Sequence, residues 1–99
     1  MTILDVILRN RPFARNGDLN ATVEAWEAAG MDAHEVEEWL SVRCFSPDTA
    51  RDLADAGVTP EMARTRTSAG GGGYFDTVGF KVGNGDLGVD EARELVGAV

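Results

Sequence analysis

Apolar residues recur along the chain in a phrase of 13 or 14 residues between positions 23 and 70. Each copy has one apolar residue, a second three positions later and then a stop, which predicts a short helix with a narrow apolar face. The pairs are Val23 with Trp26, Val36 with Trp39 and Ala50 with Leu53, and a fading fourth copy starts at Ala63. One short helix cannot bury such a face, so the copies are expected to stack around a shared core. We therefore predict buried tryptophans; the alternative is an exposed aromatic platform for a protein partner.

Polar caps and prolines predict five short helices in the first two-thirds of the chain. Two capping boxes and two Ser/Thr-Pro pairs mark four of the five starts. The predicted helices are one that begins at Thr2 with Asp5 and stops before Pro12, one from Asp18 or Asn20 to Gly30, one from Asp32 with Glu35 to about Arg43, one at 47–56 after Ser46, and one at 60–67 after Thr59.

The four consecutive glycines at 70–73 separate the repeat from the C-terminal residues. A glycine run has no side chains to pack and is costly to order, so it predicts a flexible linker. Beyond it the apolar positions keep a helical spacing, at Tyr74, Phe75, Val78 and Val82 and, after a turn at 83–86, at Val89, Ala92, Leu95 and Val96. A strand over 77–82 is the alternative, because β-branched and aromatic residues are dense there. We prefer the helix.

Together these elements predict an all-α fold, a compact bundle of five to seven short helices that ends in a helical hairpin. Residues 1–99 form a single domain in this interpretation. Its parts are an N-terminal helix and arm (1–17), acidic helical repeats (18–69), the glycine linker (70–73) and the C-terminal helical hairpin (74–99). With 43% apolar residues, as in ordinary globular proteins, the chain can build a packed core.

The net charge of −8 is concentrated in the repeat. Residues 18–62 sum to −9, whereas residues 1–17 and 63–81 each sum to +2. An acidic surface repels phosphate and steers a basic partner towards it. The simpler interpretation is that acids on short helices favour solubility and helix N-termini without any partner.

Residue types that carry chemistry are few. The glycine run lacks the Lys-Ser/Thr of a nucleotide-binding loop. Residues 84–91 resemble the second half of a calcium-binding loop. In that alignment Phe80 and Val82 occupy the first two ligand positions, where they provide no side-chain oxygen. His34 is the only histidine and Cys44 the only cysteine, which argues against a catalytic triad, a disulfide and a cysteine-rich metal cluster. We expect no enzyme activity, no metal and no cofactor.

No apolar run approaches the roughly 18 to 20 residues that a membrane span needs. The first eight residues are short, and Asp5 interrupts them, so they do not suit a signal peptide. A single cysteine also fits a reducing compartment. We therefore expect the chain to act in the cytoplasm and away from membranes.

The phrase Trp-x-x-Ala-Gly at Trp26–Gly30 and the stretch Asp76–Leu87 resemble small, mostly uncharacterised proteins of actinobacteria and mycobacteriophages. The bias towards Ala, Gly, Asp, Val and Arg with few lysines also suits a GC-rich genome. This resemblance implies a small accessory protein of a phage or prophage that binds a host protein in the host cytoplasm. It brings no catalytic residue with it.

The leading hypothesis is a non-enzymatic protein that binds a partner with a basic surface through exposed acids. The candidate acids are Glu24, Glu27, Glu35, Glu37, Glu38, Asp52 and Asp55. The alternative is a helix-turn-helix-like nucleic-acid-binding module, with phosphate contacts from Arg9, Arg11, Arg15, Arg64, Arg66 and Lys81. Self-association through an apolar patch is a third possibility. Arginines gathered on one face favour nucleic acid, whereas acids around them favour a protein.

Overall fold

The computed structural model describes residues 2–10 and 19–97, and within them the chain is mostly helical with one small sheet. The helices are α1 (Ile3–Arg9), α2 (Leu19–Ala28), α3 (Ala33–Ser41), α4 (Pro47–Asp55), α5 (Pro60–Ala63), α6 (Val78–Gly83) and α7 (Val89–Val96). Strands β1 (Arg66–Thr67) and β2 (Asp76–Thr77) pair antiparallel, with Arg66 opposite Thr77. The Cα radius of gyration is 12.8 Å, and a compact domain of this length has about 13 Å.

Side-chain caps begin α1 and α3 at the predicted residues. The Thr2 hydroxyl accepts from the Asp5 N–H at 3.2 Å, and the Asp5 carboxylate accepts from the Thr2 N–H at 3.1 Å. Asp32 and Glu35 make the same reciprocal pair at 2.9 and 3.1 Å. Each box satisfies backbone donors that a helix N-terminus leaves unpaired, and both predicted boxes are confirmed.

The starts of α4 and α5 also follow the prediction, with proline at the first helical position. Ser46 and Thr59 accept from the backbone N–H three residues on, at 3.3 and 3.2 Å. The start of α2 differs, because Leu19 is already helical and Asn20 therefore lies inside the helix. The other proposed cap, Asp18, lies outside the described residues, as does Pro12.

The ends of α2, α3 and α4 share one hydrogen-bond pattern. In each, a residue with positive φ follows the helix, and the next N–H donates to the carbonyl five positions back. These bonds join Met31 to Trp26 past Gly30 (3.3 Å), Cys44 to Trp39 past Arg43 (3.1 Å) and Val58 to Leu53 past Gly57 (2.9 Å). This Schellman pattern turns the chain inward, so the bonded apolar side chains at both ends are buried.

The core forms where the apolar phrase predicted it. Trp26, Trp39 and Leu53 are each at most 1% exposed and belong to one cluster with Val36 and Ala50. The predicted burial of the tryptophans is therefore confirmed. Neither tryptophan offers an exposed aromatic platform.

Beyond Ala63 two predictions are wrong. The helix predicted for 60–67 has a single turn, because Thr65 and the residues after it are extended, with the Thr65 carbonyl accepting from the Val78 N–H at 2.8 Å. The preferred helix through 74–82 begins only at Val78, since Thr77 caps it by accepting from the Phe80 N–H at 3.1 Å. The extended residues pair as β1 and β2, so the all-α class is corrected to a mostly helical fold with a two-stranded sheet.

The glycine run packs against the loop that precedes α7. Gly71 donates its N–H to the Asp86 carbonyl at 2.6 Å, and a Cβ on Gly70 would lie 2.2 Å from the same oxygen. Gly70 also has a φ of +86°, a conformation that favours glycine.

None of the helices in the described part of the chain is long and apolar enough to cross a membrane.

Candidate interaction surfaces

The candidate acids on α3 are held by partners within the chain. Glu35 completes the cap of its own helix. Glu37 forms an ion pair with Arg9 of α1, and the Glu38 carboxylate lies 3.6 Å from the His34 Nε2 one turn away. The exposed ion pair between Arg9 and Glu37 contributes little stability, but it reduces the charge that α3 presents to a partner.

The acids of α2 and α4 are more open. Glu24 and Glu27, three residues apart on α2, and Asp52 on α4 are exposed, and within residues 2–10 and 19–97 none has a side-chain hydrogen bond or ion pair. Asp48 and Asp55 share the outward face of α4 with Asp52, because positions four and seven apart fall on one side of a helix. We call these five residues the acidic surface. Asp48 was not among the predicted candidates, although its spacing from Asp52 places it on that face.

Arg51 joins the two halves of the acidic surface. Its Nη1 donates to the Ala29 carbonyl at the C-terminal end of α2 at 3.2 Å, and its Nε donates to Asp55 at 3.0 Å. A cation at a helix C-terminus complements the helix dipole. The hydrogen bond from Arg51 lowers the pKa of the Asp55 carboxyl and raises that of the guanidinium. Asp55 is therefore partly neutralised, whereas Glu24, Glu27, Asp48 and Asp52 have no ion-pair partner among the described residues.

Exposed apolar side chains lie on a helix next to this surface. Leu4 and Leu8 are 39% and 45% exposed and sit one turn apart on α1. α1 packs against α2, which carries Glu24 and Glu27. An apolar pair of this kind can add contact area beside the charged residues.

The cations that were predicted to contact nucleic acid have different surroundings in the structure. Arg9 is paired with Glu37, and Arg11 and Arg15 lie outside the described residues. Lys81 is 0% exposed. Its Nζ donates to the Tyr74 carbonyl at 2.8 Å and lies 4.5 Å from the centroid of the Tyr74 ring. A buried ammonium does not reach a phosphate, so Lys81 leaves the candidate nucleic-acid set.

Arg64 and Arg66 remain exposed, and the structure brings Arg43 close to them. The Arg64 Nη2 lies 3.5 Å from the Ser41 hydroxyl at the end of α3, two residues before Arg43. Arg43 donates to Asp76 of β2 at 3.1 Å, and Arg66 lies on β1, the strand paired with β2. The three guanidiniums are thus carried by adjoining segments at the end of α3 and around the sheet.

Two phenylalanines lie beneath these arginines. The Arg43 Cζ is 4.6 Å from the centroid of Phe80, and the Arg66 Cζ is 5.3 Å from that of Phe75. We call Arg43, Arg64, Arg66, Phe75 and Phe80 the Arg–aromatic surface. Arg43 and both phenylalanines were not predicted as surface residues from the sequence, because only long-range contacts bring them together.

A polar cluster of Tyr74, Asn84 and Asp86 links the end of the glycine run to the loop before α7. Tyr74 donates its hydroxyl to Asp86 at 2.6 Å, and the Asn84 amide donates to the same carboxylate at 3.0 Å. The hydrogen bond from Tyr74 lowers the pKa of Asp86, and the same bond raises the pKa of Tyr74. The Asp86 carboxylate therefore stabilises this part of the fold by accepting two hydrogen bonds.

Chemically reactive groups are few and separated. Burial raises the pKa of the Cys44 thiol to about 12, which leaves it a poor nucleophile near neutral pH. In the described residues no three side chains of His, Cys, Asp or Glu converge as metal ligands. Glu91, the closing residue of the calcium-like loop, instead accepts from the Gly88 N–H at 3.1 Å. The absence of a metal or cofactor remains a prediction.

Comparisons of the chain with protein-family models, with curated proteins and with solved structures each found no match. A functional proposal therefore depends on the two surfaces and on the chemistry that their residues allow.

Proposed function

We propose that the chain is a non-enzymatic protein-binding domain whose acidic surface engages a basic surface of a partner protein. The observation that carries the proposal is that Glu24, Glu27 and Asp52 are exposed and have no side-chain partner within residues 2–10 and 19–97, on two helices that Arg51 links. The resemblance to phage proteins adds an accessory role towards a host protein in the cytoplasm. That origin is part of the proposal and depends on the resemblance alone.

The physical basis is electrostatic steering combined with apolar contact. Complementary charges raise association rates from about 10⁵–10⁶ M⁻¹s⁻¹ to as much as 10⁸ M⁻¹s⁻¹ or more at low salt. Rim charges add little affinity, so a partner needs apolar contact as well, and we assign that contact to Leu4 and Leu8. The acids set the rate and the leucines set the lifetime of the complex.

The non-enzymatic part of the proposal is supported by where the reactive groups lie. The His34 side chain is 75% exposed and its one close partner among the described side chains is Glu38, while Cys44 is buried with a raised pKa. A general base needs a reacting group within hydrogen-bond reach in a shaped site. Neither residue supplies one.

The same proposal includes a structural repeat in the acidic region. Its support is the common end of α2, α3 and α4, where a buried Trp or Leu accepts a hydrogen bond from a buried residue five positions later. The helical hairpin is retained in shortened form, as α6 and α7 joined by residues 84–88. Stacked short helices of this kind present their polar faces outward, which places the acids at the surface.

The nucleic-acid hypothesis is the competing one. The gathering of Arg43, Arg64 and Arg66 favours it, but the net charge of −8 opposes a polyanion, and Lys81 is buried. Since Arg43 is already paired with Asp76, only two of the gathered cations are free to meet phosphates. We therefore keep protein binding as the proposal.

The test begins with capture of a partner by tagged protein and then measures association rates across a salt series. Glu24→Lys with Glu27→Lys should lower the on-rate at least about tenfold at low salt and flatten its salt dependence. Glu61→Lys with Glu94→Lys changes the net charge equally on other helices and serves as the control. Glu37 and Glu38 are unsuitable here, because each has a partner within the chain.

If the two double variants lower the on-rate equally, only the net charge of the chain matters. If neither variant lowers it, the proposal that the acidic surface binds the partner is wrong. A titration with labelled duplex DNA and RNA at low salt tests the competitor. Tight, salt-sensitive binding that Arg64→Ala with Arg66→Ala abolishes would replace protein binding as the conclusion.

A further inference from the structure

Arg64 and Arg66 differ from the paired cations of the fold. Arg9, Arg43 and Arg51 each have a carboxylate partner. Arg64 and Arg66 are exposed, and neither has a carboxylate within ion-pairing distance in the part of the chain that the structure describes. Two guanidiniums separated by one residue thus remain available to an outside acceptor.

Phe75 gives this pair an apolar neighbour. It is 59% exposed, more than any other large apolar side chain in the described residues. The Arg66 Cζ lies over its ring at 5.3 Å from the centroid, and β2, which begins at the next residue, pairs with β1. A guanidinium that a cation–π contact already holds in place loses less conformational freedom on binding a carboxylate than a free one.

Asp76 demonstrates how a carboxylate fits beside this surface. It lies next to Phe75 in the chain and accepts from the Arg43 Nε at 3.1 Å, with only 14% of its side chain exposed. Arginine favours carboxylate acceptors because its planar fork matches both oxygens. The unpaired Arg64 and Arg66 offer the same chemistry to a second chain.

We propose that Arg64, Arg66 and Phe75 bind an acidic peptide segment of a partner protein, in which Asp or Glu lies next to an aromatic or large aliphatic residue. The carboxylates pair with the two guanidiniums, and the apolar side chain covers Phe75. Arg and Phe are both enriched at protein interfaces, where such pairs act as anchors. This site goes beyond the acidic surface, since it has the opposite charge and lies on other segments.

Charge favours a peptide over a single-stranded nucleic acid at this site. A nucleic-acid strand carries one charge per nucleotide, and its sites track at least about four nucleotides along a basic groove. A chain of net charge −8 with two unpaired guanidiniums here repels such a polyanion. A short peptide with two carboxylates brings only the charge that Arg64 and Arg66 can neutralise.

The experiment selects a displayed random 12-residue peptide library on the full chain. Individual synthetic peptides are then titrated by fluorescence anisotropy at 150 mM salt. We expect selected peptides to combine Asp or Glu with an aromatic or aliphatic neighbour, and Arg64→Ala with Arg66→Ala to weaken their binding at least tenfold. Phe75→Ser should weaken it by a similar factor. Arg64→Lys with Arg66→Lys keeps the charge and should retain part of the affinity.

Two controls separate this site from general charge effects and from the acidic surface. Arg9→Ala with Arg51→Ala removes the same charge elsewhere and should change peptide binding less than twofold, as should Glu24→Lys with Glu27→Lys. Circular dichroism checks that every variant is folded. The acidic surface can itself select basic peptides, so the acidic ones decide: selection of no acidic peptide, or of acidic peptides that are insensitive to Arg64 and Arg66, overturns the proposal. So does tighter binding of a labelled 20-nucleotide oligo(dT) that depends on the two arginines.

Discussion

The helical region of residues 19–63 and the segment of residues 64–88 are held in place by different kinds of interaction. In the helical region, caps within three residues start α3, α4 and α5, and bonds five residues back end α2, α3 and α4. In the segment, the decisive contacts are long-range, such as Arg43 to Asp76 and Thr77 to the Val42 carbonyl at 2.6 Å. Local sequence therefore predicts the first region well and the second poorly. The Arg–aromatic surface exists only where the two meet.

The largest expected effect comes from the core of the helical region. Trp39→Ala should lower the free energy of unfolding by about 3–5 kcal/mol, because it removes a fully buried side chain from the shared cluster. Urea denaturation monitored by circular dichroism measures the loss. Leu95→Ala, at a 45% exposed position, should cost less than about 1 kcal/mol. Equal losses for the two variants would contradict a core built on the repeat.

The next effect concerns the close approach of the glycine run to the loop before α7. Gly70→Ala should destabilise the fold by about 2 kcal/mol or more, since its Cβ would collide with the Asp86 carbonyl and its φ is positive. Gly73→Ala is the matched control, because it also has a positive φ but no neighbour within 4 Å. Thermal unfolding of both compares them. Indistinguishable stabilities would mean that the run acts only as a linker.

Some features of the fold and of the two surfaces could be predicted from the sequence, and others could not. Caps and apolar spacing were sufficient for the starts of α1, α3, α4 and α5 and for the buried tryptophans, because both are local or periodic features. Spacing could not place Lys81, whose burial depends on the Tyr74 carbonyl, nor pair Glu37 with Arg9, which is 28 residues away. The acids of α2 and α4 were predicted as candidates except for Asp48, whereas the Arg–aromatic surface depends on contacts that no local pattern encodes.

A smaller effect distinguishes the end of α3 from the ends of α2 and α4. Arg43, which follows α3, has a φ of +65°. The equivalent residues after α2 and α4 are Gly30 and Gly57, which also have positive φ. A left-handed conformation costs a non-glycine residue about 1–2 kcal/mol. Arg43→Gly should therefore be about 1 kcal/mol more stable than Arg43→Ala, since both lack the guanidinium and differ only in backbone strain. Chemical denaturation of the pair measures this, and a more stable alanine variant would contradict it.

The smallest effect is the pH dependence of the hydrogen bond between Tyr74 and Asp86. Because the pKa of Asp86 is lowered on folding, its contribution is present above the ordinary aspartate value of about 3.9 and is lost as pH falls through the folded pKa. Tyr74→Phe should thus lower the Tm at pH 7 and approach the parent at pH 2–3. Asp86→Asn should abolish this pH dependence. A Tm difference that is unchanged at pH 2–3 would rule out the bond as its cause.

We expect the segment of residues 64–88 to fold as one cooperative unit with the helical region, and amide hydrogen exchange measures this coupling. The Val78 N–H, bonded to Thr65, and the Asp86 N–H, bonded to Lys81, should open with free energies close to those of the Val36 and Ala50 amides in the core helices. Exchange of Val78 and Asp86 that is orders of magnitude faster, while the helical amides stay protected, would contradict it.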